Sequence, residues 1–478
     1  EYAVNFFQDN FHIDTLIEYR NMDAKEVTDA LATVKDSYFK KDIITLGYVK
    51  GMTIGNDTLR FSLRLPAPLM PNHDELAQKC RDALKDVANI GEIEIKKDWQ
   101  VQKLPSLNAP NTPNSLKGVK NIIAIASGKG GVGKSTVTVC IAEAFANAGA
   151  KVGILDVDVY GPSIPNMVGL GDHQLSGANE GVLEPVEAHG MKIMSMGFLA
   201  NKDTPVVWRG PIASQLVQQF LGAVDWGELD YLFVDMPPGT GDIQLTLSQS
   251  VPLTGAVIVT TPQEVAHTIA EKGLRMFQQV KIPILGIIEN MAGFTPPGSD
   301  EVFHIFGEGG GTSAAEEFDL PLLGKISIKQ ELREAMDEGK FVTDENIQSI
   351  ASLIAVEAMV VVTNEELSPF APQEMNMTND GKTLVIKWQD NVEHVISAFT
   401  VRYMCPCAHC VDEVTGEKLI KEEDVPANVK ILESAPVGRY GVRFSFDDPS
   451  PGAGAGIYTF SFLRKMGEEA VEKASFEV

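Results

Sequence analysis

The chain has 478 residues, 44% of them apolar and 22% charged, which suits a globular protein of two to four domains rather than a single core. Its formal net charge of −25 excludes non-specific nucleic-acid binding, which needs clustered Lys and Arg. Five cysteines in so long a chain form no disulfide framework and favour a reducing compartment; no uninterrupted apolar run reads as a membrane span. The chain opens on Glu1 rather than Met, which reads as a processed or trimmed end, with any targeting peptide out of sight.

Residues 22–99 read as a small α+β domain. A helix is expected over Ala24–Val34 and a turn at Lys40–Asp42. Strands are expected at Ile43–Val49 and Leu59–Leu65, a helix at Asn72–Val87 and a strand at Gly91–Lys96. This order, with D-I-I-T-L-G-Y-V at 42–49, resembles the small iron–sulfur assembly domain of the SufT/PaaD type. That family places a reactive cysteine in a T-x-x-C-P-like turn after the second strand. Here the turn reads Pro66-Ala67-Pro68-Leu69-Met70-Pro71, without a cysteine, and of what the resemblance implies a docking role survives. Cys80 falls in the helical stretch and reads as a small buried residue. Residues 104–117, rich in Pro, Asn and Ser, read as a linker.

From Val119 to Asn364, strand patterns alternate with helical ones, the signature of an α/β, doubly wound parallel sheet. The apolar run Asn121–Ala126 leads into S-G-K-G-G-V-G-K-S-T at 127–136, and a helical Thr136–Asn147 leads out. Gly128, Gly133, Lys134 and Ser135 match G-x-x-x-x-G-K-[ST]. Glycines let the backbone N–H groups of Gly130, Gly131, Val132, Gly133 and Thr136 wrap a triphosphate, and the helix N-terminus adds positive potential. Lys134 would reach the β- and γ-phosphates of ATP, and Ser135 would hold Mg²⁺. Cys140, under two turns into the helix, reads as packed rather than ligating.

The second lysine, Lys129, makes the loop similar to the deviant Walker A loop of the ATPase group that includes MinD, ParA, the arsenite-pump ATPase and Mrp-type iron–sulfur carriers. The resemblance implies a sandwich homodimer in which Lys129 crosses to the partner's nucleotide.

Two later strands end in carboxylates, where Mg²⁺ and an attacking water belong. Val152–Leu155 runs into Asp156-Val157-Asp158-Val159-Tyr160-Gly161-Pro162-Ser163. Tyr231–Val234 runs into Asp235-Met236-Pro237-Pro238-Gly239-Thr240-Gly241-Asp242. Asp235 reads as the Walker B acid on the metal side, and its loop as a γ-phosphate sensor. By resemblance, Asp158 orients the water and Asp156 supports the Mg²⁺ shell. At Ile287–Met291 a further strand closes in E-N-M, and the resemblance puts Asn290 at the adenine edge.

These motifs, with Trp208-Arg209-Gly210-Pro211, resemble the Mrp branch, whose members carry iron–sulfur clusters. Mrp carriers place a C-x-x-C pair shortly after E-N-M; this chain has Ala292-Gly293-Phe294-Thr295-Pro296-Pro297-Gly298 there, with no cysteine. His267 reads as a surface residue, and Ile269 stands where relatives often have an aspartate.

Residues 374–478 read as a small β-rich module, with strands at Thr383–Trp388, Val395–Phe399 and Tyr440–Phe446. It carries Cys405-Pro406-Cys407-Ala408-His409-Cys410, a C-x-C-x-x-C set that can converge on one metal centre. With Thr415-Gly416-Glu417-Lys418, the segment resembles the zinc-binding module at the N-terminus of gamma-butyrobetaine hydroxylases. Those proteins add a histidine in a G-H-x-x-G-I-Y-like run; here the run is Gly452-Ala453-Gly454-Ala455-Gly456-Ile457-Tyr458, with alanine in that place. His409 is the nearby alternative ligand. Three thiolates with an open corner suit a labile [4Fe–4S] cluster, and Zn²⁺ is the alternative.

The order of assembly domain, Mrp ATPase and cysteine module resembles the plastid high-chlorophyll-fluorescence branch of the Mrp carriers. The resemblance implies an ATP-dependent carrier in the plastid stroma, with the cytoplasm as alternative. It further implies an upstream iron–sulfur scaffold, apoprotein clients of the photosystem I kind, and no nucleic-acid or membrane partner. A MinD/ParA-like positioning ATPase would need an amphipathic tail or a basic face, and Arg464–Val478 is short and acid-rich. A nucleotide-switched scaffold with a structural zinc is the other alternative.

Overall fold

The computed structural model describes residues 24–54, 58–85, 87, 91–108, 112–159, 161–174, 182–199, 210–239, 242–296, 301–341, 344–366, 372–407, 409–411, 417–437, 441–450 and 456–476. The chain divides into two compact units. One comprises the residues up to Leu65 with Asn72–Trp99, the other Pro66–Pro71 with Gln100–Val478.

The first unit is a three-stranded sheet with two helices. Thr58–Leu65 is its central strand, antiparallel to Val49–Ile54 and parallel to Glu92–Trp99. Leu59, Phe61, Leu63 and Leu65 alternate onto the buried face, as a period of two requires. The helices are Ala24–Leu31 and His73–Leu84. Ile43–Val49, expected as a strand, is a turn, and the strand begins only at Val49. Asp42 is the cause. Its carboxylate accepts the N–H groups of Ile44 (3.1 Å) and Thr45 (2.8 Å) and the Thr45 hydroxyl (2.7 Å), closing a local turn before a ladder can start. Ile43 is still fully buried.

The second unit is built on an eight-stranded sheet. Its order is Leu322–Ile328, Ile284–Phe294, Gly255–Thr260, Val119–Ala126, Leu229–Asp235, Val152–Asp156, Met191–Ser195 and Val186–Ala188. All neighbours are parallel except the last pair. This is a mostly parallel α/β sheet of the doubly wound kind expected. The first strand in chain order, Val119–Ala126, sits between Leu229–Asp235 and Gly255–Thr260. The strand order reverses there, so the crevice opens at the strands' carboxyl ends.

The central strands are buried on both faces and read as continuous apolar runs. The helix Glu345–Glu366, though interrupted by Glu357, is long and apolar enough to cross a membrane by length and composition alone. Half of that stretch is buried, and it packs on Lys134–Asn147 and the strands Leu322–Ile328 and Ile284–Phe294.

The segment read as a linker is folded where it is described. Pro105–Asn108 and Asn114–Leu116 form short 3₁₀ turns that bury Leu107 and Leu116. The Ser106 N–H donates to Glu365 Oε1 at 2.8 Å.

The C-terminal part holds two three-stranded antiparallel sheets, Pro372–Met377/Thr383–Trp388/Glu393–Ser397 and Ile431–Val437/Gly441–Phe446/Ile457–Thr459. Trp388, Phe444, Tyr458 and Leu463 share one core with Cys405 and Cys410. The strand expected over Val395–Phe399 stops at Ser397, and Ala398–Tyr403 is a helix. Ser397 Oγ accepts the Thr400 N–H at 3.0 Å, an N-cap that turns the chain out of the sheet.

Candidate functional site

The strand Val119–Ala126 delivers the glycine-rich loop to the crevice, and the helix Lys134–Asn147 follows at once. Gly133 has φ 79°, a left-handed backbone, and a Cβ there would fall 2.3 Å from Asn290 Nδ2. Both the turn and the close approach require glycine. The loop lines a cleft of about 210 Å³ with Lys129, Gly130, Gly131, Val132, Gly133, Lys134, Ser135, Thr136, Asp158 and Pro238 around it. Gly128 is half-buried just ahead of it.

Asp235 is the hub of the site and has no exposed surface. Its carboxylate accepts Lys134 Nζ at 2.7 Å, Ser135 Oγ at 2.6 Å and Thr138 Oγ1 at 2.7 Å. Lys134 also lies 3.6 Å from Asp158. Asp156 stands opposite Asp235 in register on the adjacent strand. It accepts Ser195 Oγ at 2.7 Å and the Asp158 N–H at 3.1 Å. Burial, then the Asp235 charge, raises its carboxyl above the usual range, against the pull of Ser195, the Asp158 N–H and Lys134. One cation and several donors thus face three carboxylates, a concentration of negative charge suited to Mg²⁺.

Lys129 Nζ donates to Gln263 Oε1 at 2.8 Å, within its own chain. Asn290 donates through Nδ2 to Val132 O at 2.8 Å, so its amide braces the phosphate loop. Its neighbour Glu289, buried, accepts the Gly311 N–H at 2.6 Å and lies 3.5 Å from Lys325. Gln244 Nε2 donates to Pro237 O at 2.6 Å and fixes the proline loop. Trp208, Arg209, Tyr160, Thr240 and Gly241, and the side chains of Asp242, His267 and Ile269, lie outside the described residues.

The sulfurs of Cys405, Cys407 and Cys410 all lie within 4.8 Å of one another. Cys405 and Cys410 are buried and Cys407 is partly exposed. The chain loops back by hydrogen bonds from the Cys410 and Val411 N–H groups to Cys407 O, at 2.8 and 2.9 Å. Burial acts against an ionised Cys407. Hydrogen bonds from Cys405, Cys410 and the backbone N–H groups of His409 and Cys410 overcome it and hold the thiol below its ordinary value.

Gly456 closes the site from the far side, where a Cβ would fall 2.6 Å from Cys405 Sγ. His409 is exposed and is not part of the converged group. Ala453 and residues 412–416 lie outside the described residues. Burial pushes Cys80 and Cys140 up to about 12, which leaves them as inert packing groups.

Sulfurs this close together can share one metal centre. The donor set itself, three soft thiols without a disulfide, suits either zinc or an iron–sulfur cluster.

Sequence reading missed Thr138, Ser195, Glu289 and Gln244. Thr138 had a signal: it lies one helical turn after Lys134 and shares its face. Ser195 and Gln244 are brought in by other elements and carry no local motif.

The family model described as "NUBPL iron-transfer P-loop NTPase" matches residues 118–362. "Gamma-butyrobetaine hydroxylase-like, N-terminal" matches 375–464, and "Iron-sulfur cluster assembly protein" matches 24–96. An iron-sulfur cluster carrier protein from Synechocystis is 48% identical over 65% of this chain and 90% of its own length. The chloroplastic Fe-S cluster assembly factor HCF101 of Arabidopsis thaliana is 36% identical over 89% of this chain and 80% of its own. A solved nucleotide-binding protein from Archaeoglobus fulgidus in complex with ADP is 41% identical, covering 47% of this chain and 89% of that one, with a TM-score of 0.42. By a family match spanning half its length and by relatives covered almost entirely, this chain belongs to the NUBPL/Mrp family of iron-transfer P-loop NTPases.

Proposed function

We propose that the chain is an ATP-dependent carrier or scaffold for iron–sulfur clusters, acting as a homodimer whose arrangement follows nucleotide state. The observation that carries this is the pairing, in one polypeptide of this family, of a complete phosphate-loop site with three converged thiols. The loop N–H groups and Lys134 bind the phosphates. Ser135 and Asp235 hold Mg²⁺, Asp156 supports its shell, and Asp158 orients water for slow hydrolysis. Lys129 leaves Gln263 and reaches the partner's nucleotide. Asn290 keeps the loop in shape and meets the base. The cargo, a [4Fe–4S] cluster, sits on Cys405, Cys407 and Cys410, whose three-thiolate set leaves one iron open for transfer. Clients are apoproteins, and the chloroplastic names of the plant relatives favour a plastid stroma, with the cytoplasm as alternative.

A second reading rests on the same three converged thiols: they could hold a structural zinc ion, in which case the cargo binds elsewhere on the dimer.

Anaerobic reconstitution with iron and sulfide tests both. About four irons per site, lost when Cys405, Cys407 and Cys410 are all changed to serine while ATP binding survives, supports the carrier with its cargo at the thiols. Cluster retained in the triple variant overturns that placement. One tightly held zinc and no cluster supports the second reading.

A further inference from the structure

We infer that Arg402 is a positioning residue of the three-thiol centre, acting through Cys410. The inference rests on the reading of the three thiols as a ligand set, whichever metal they hold.

Arg402 lies in the helix Ala398–Tyr403 and has no exposed surface. Its guanidinium is divided between two partners. Nε donates to Asp448 Oδ2 at 2.6 Å, and Nη1 donates to Cys410 Sγ at 3.4 Å. Nη2 is buried with no hydrogen-bond partner among the described residues. Asp448 is held in turn by the N–H and hydroxyl of Ser450, at 2.9 and 2.5 Å. The chain Ser450–Asp448–Arg402–Cys410 runs from a partly exposed turn to one of the metal-facing sulfurs.

A buried ion pair of this kind is a poor stabiliser in itself, because apolar residues of similar volume do as well or better. Its presence here needs another reason, and the sulfur contact supplies one. A guanidinium N–H directed at a thiolate is a charge-assisted hydrogen bond that fixes the sulfur's direction and offsets its charge. Nη2, buried without a partner among the described residues, leaves the guanidinium a further donor in the interior. Partners one step removed from the metal orient its ligands and typically alter metal affinity by about ten- to a hundredfold.

The test uses the full chain with cobalt(II) as the probe. The thiolate-to-cobalt absorption band reports the sulfur environment, and zinc competition reports affinity. Arg402→Met combined with Asp448→Leu replaces the whole pair by apolar volume and leaves no orphaned charge. The inference expects this variant to fold, to bind cobalt at least about tenfold more weakly, and to show the band at lower energy because sulfur has lost a donor. Arg402→Lys, which keeps a cation without the fork, should lie between it and the wild type.

A folded double variant with unchanged band and affinity would overturn the inference and make the pair purely structural. Should the double variant not fold, Arg402→Lys decides: a shifted band and weakened binding support the inference, and wild-type values overturn it. A wild-type protein with no thiolate-to-cobalt band would instead overturn the ligand-set reading, and the role of Arg402 with it.

Discussion

Asp156 and Asp235 face each other in register on neighbouring parallel strands, both without exposed surface, and the lysine of the phosphate loop pairs with only the second. Asp156 must manage on Ser195 Oγ and one backbone N–H. Burial and the nearby Asp235 charge therefore raise its carboxyl, so the folded state holds a proton that the unfolded state releases. Its contribution is favourable below the ordinary aspartate range and declines as pH rises toward the raised value. Asp156→Asn should stabilise the nucleotide-free protein by about 1 kcal/mol at pH 8. It should have no such effect at pH 4 and should weaken Mg²⁺-dependent ATP turnover. Urea melts at the two pH values check the first part and phosphate release checks the second. Equal stabilisation at both would sink the charge argument.

Lys134 and Asp235 form a buried pair, 6% and 0% exposed. Removing one member leaves the other charge uncompensated, at a cost of about 3 kcal/mol or more. Lys134→Met should lower stability by that order and abolish nucleotide binding. Adding Asp235→Asn to Lys134→Met should recover at least about 1 kcal/mol of the loss, since the orphaned carboxylate is gone. Thermal melts of the four proteins give the coupling. Simple additivity would show that Ser135 and Thr138 alone suffice to hold Asp235.

Lys129 tells a different story. It is half-buried with a neutral partner, Gln263, and no carboxylate among its hydrogen bonds to the described residues. Lys129→Ala should change stability by no more than about 0.5 kcal/mol. Binding of ATP to the single chain should persist, while ATP-driven dimerisation and turnover fall at least about tenfold. Light scattering with and without ATP distinguishes these. A variant that still dimerises and hydrolyses normally would confine Lys129 to its contact with Gln263.

The phosphate loop and both acidic strand ends were legible because each is written within about ten consecutive residues, with the strand and helix that frame it. What eluded the sequence was set by side-chain hydrogen bonds, some local and some reaching across the chain. Asp42 overrides an apolar β pattern with three local hydrogen bonds, so Ile43–Val49 turns although its composition says strand. Ser397 does the same to Ala398 and Phe399 by capping a helix. Thr138, Ser195 and Arg402 matter through partners 97, 39 and 46 residues away, and no spacing rule encodes those separations. The C-x-C-x-x-C set was plain, but the convergence of its three sulfurs exists only in three dimensions.

Glu143 offers a pH test away from the metal-facing carboxylates. It lies in the helix that follows the phosphate loop and is 8% exposed. Burial pushes its carboxyl up to about 7, and the Asn147 amide only partly opposes this. A raised carboxyl means the native state keeps its proton longer than the unfolded chain. Its contribution is then fully present below about pH 4.5 and is lost as pH rises through about 7. Glu143→Gln should therefore match the wild type at pH 4.5 and exceed it by about 1–2 kcal/mol at pH 8, allowing for partial solvation at the helix edge. The difference between the two proteins cancels every other titrating group they share, Asp156 included. Denaturant midpoints collected from pH 4.5 to 8 should show the gap opening with pH. A gap that is constant, or that closes, would mean Glu143 ionises in the folded protein as it does in the unfolded one.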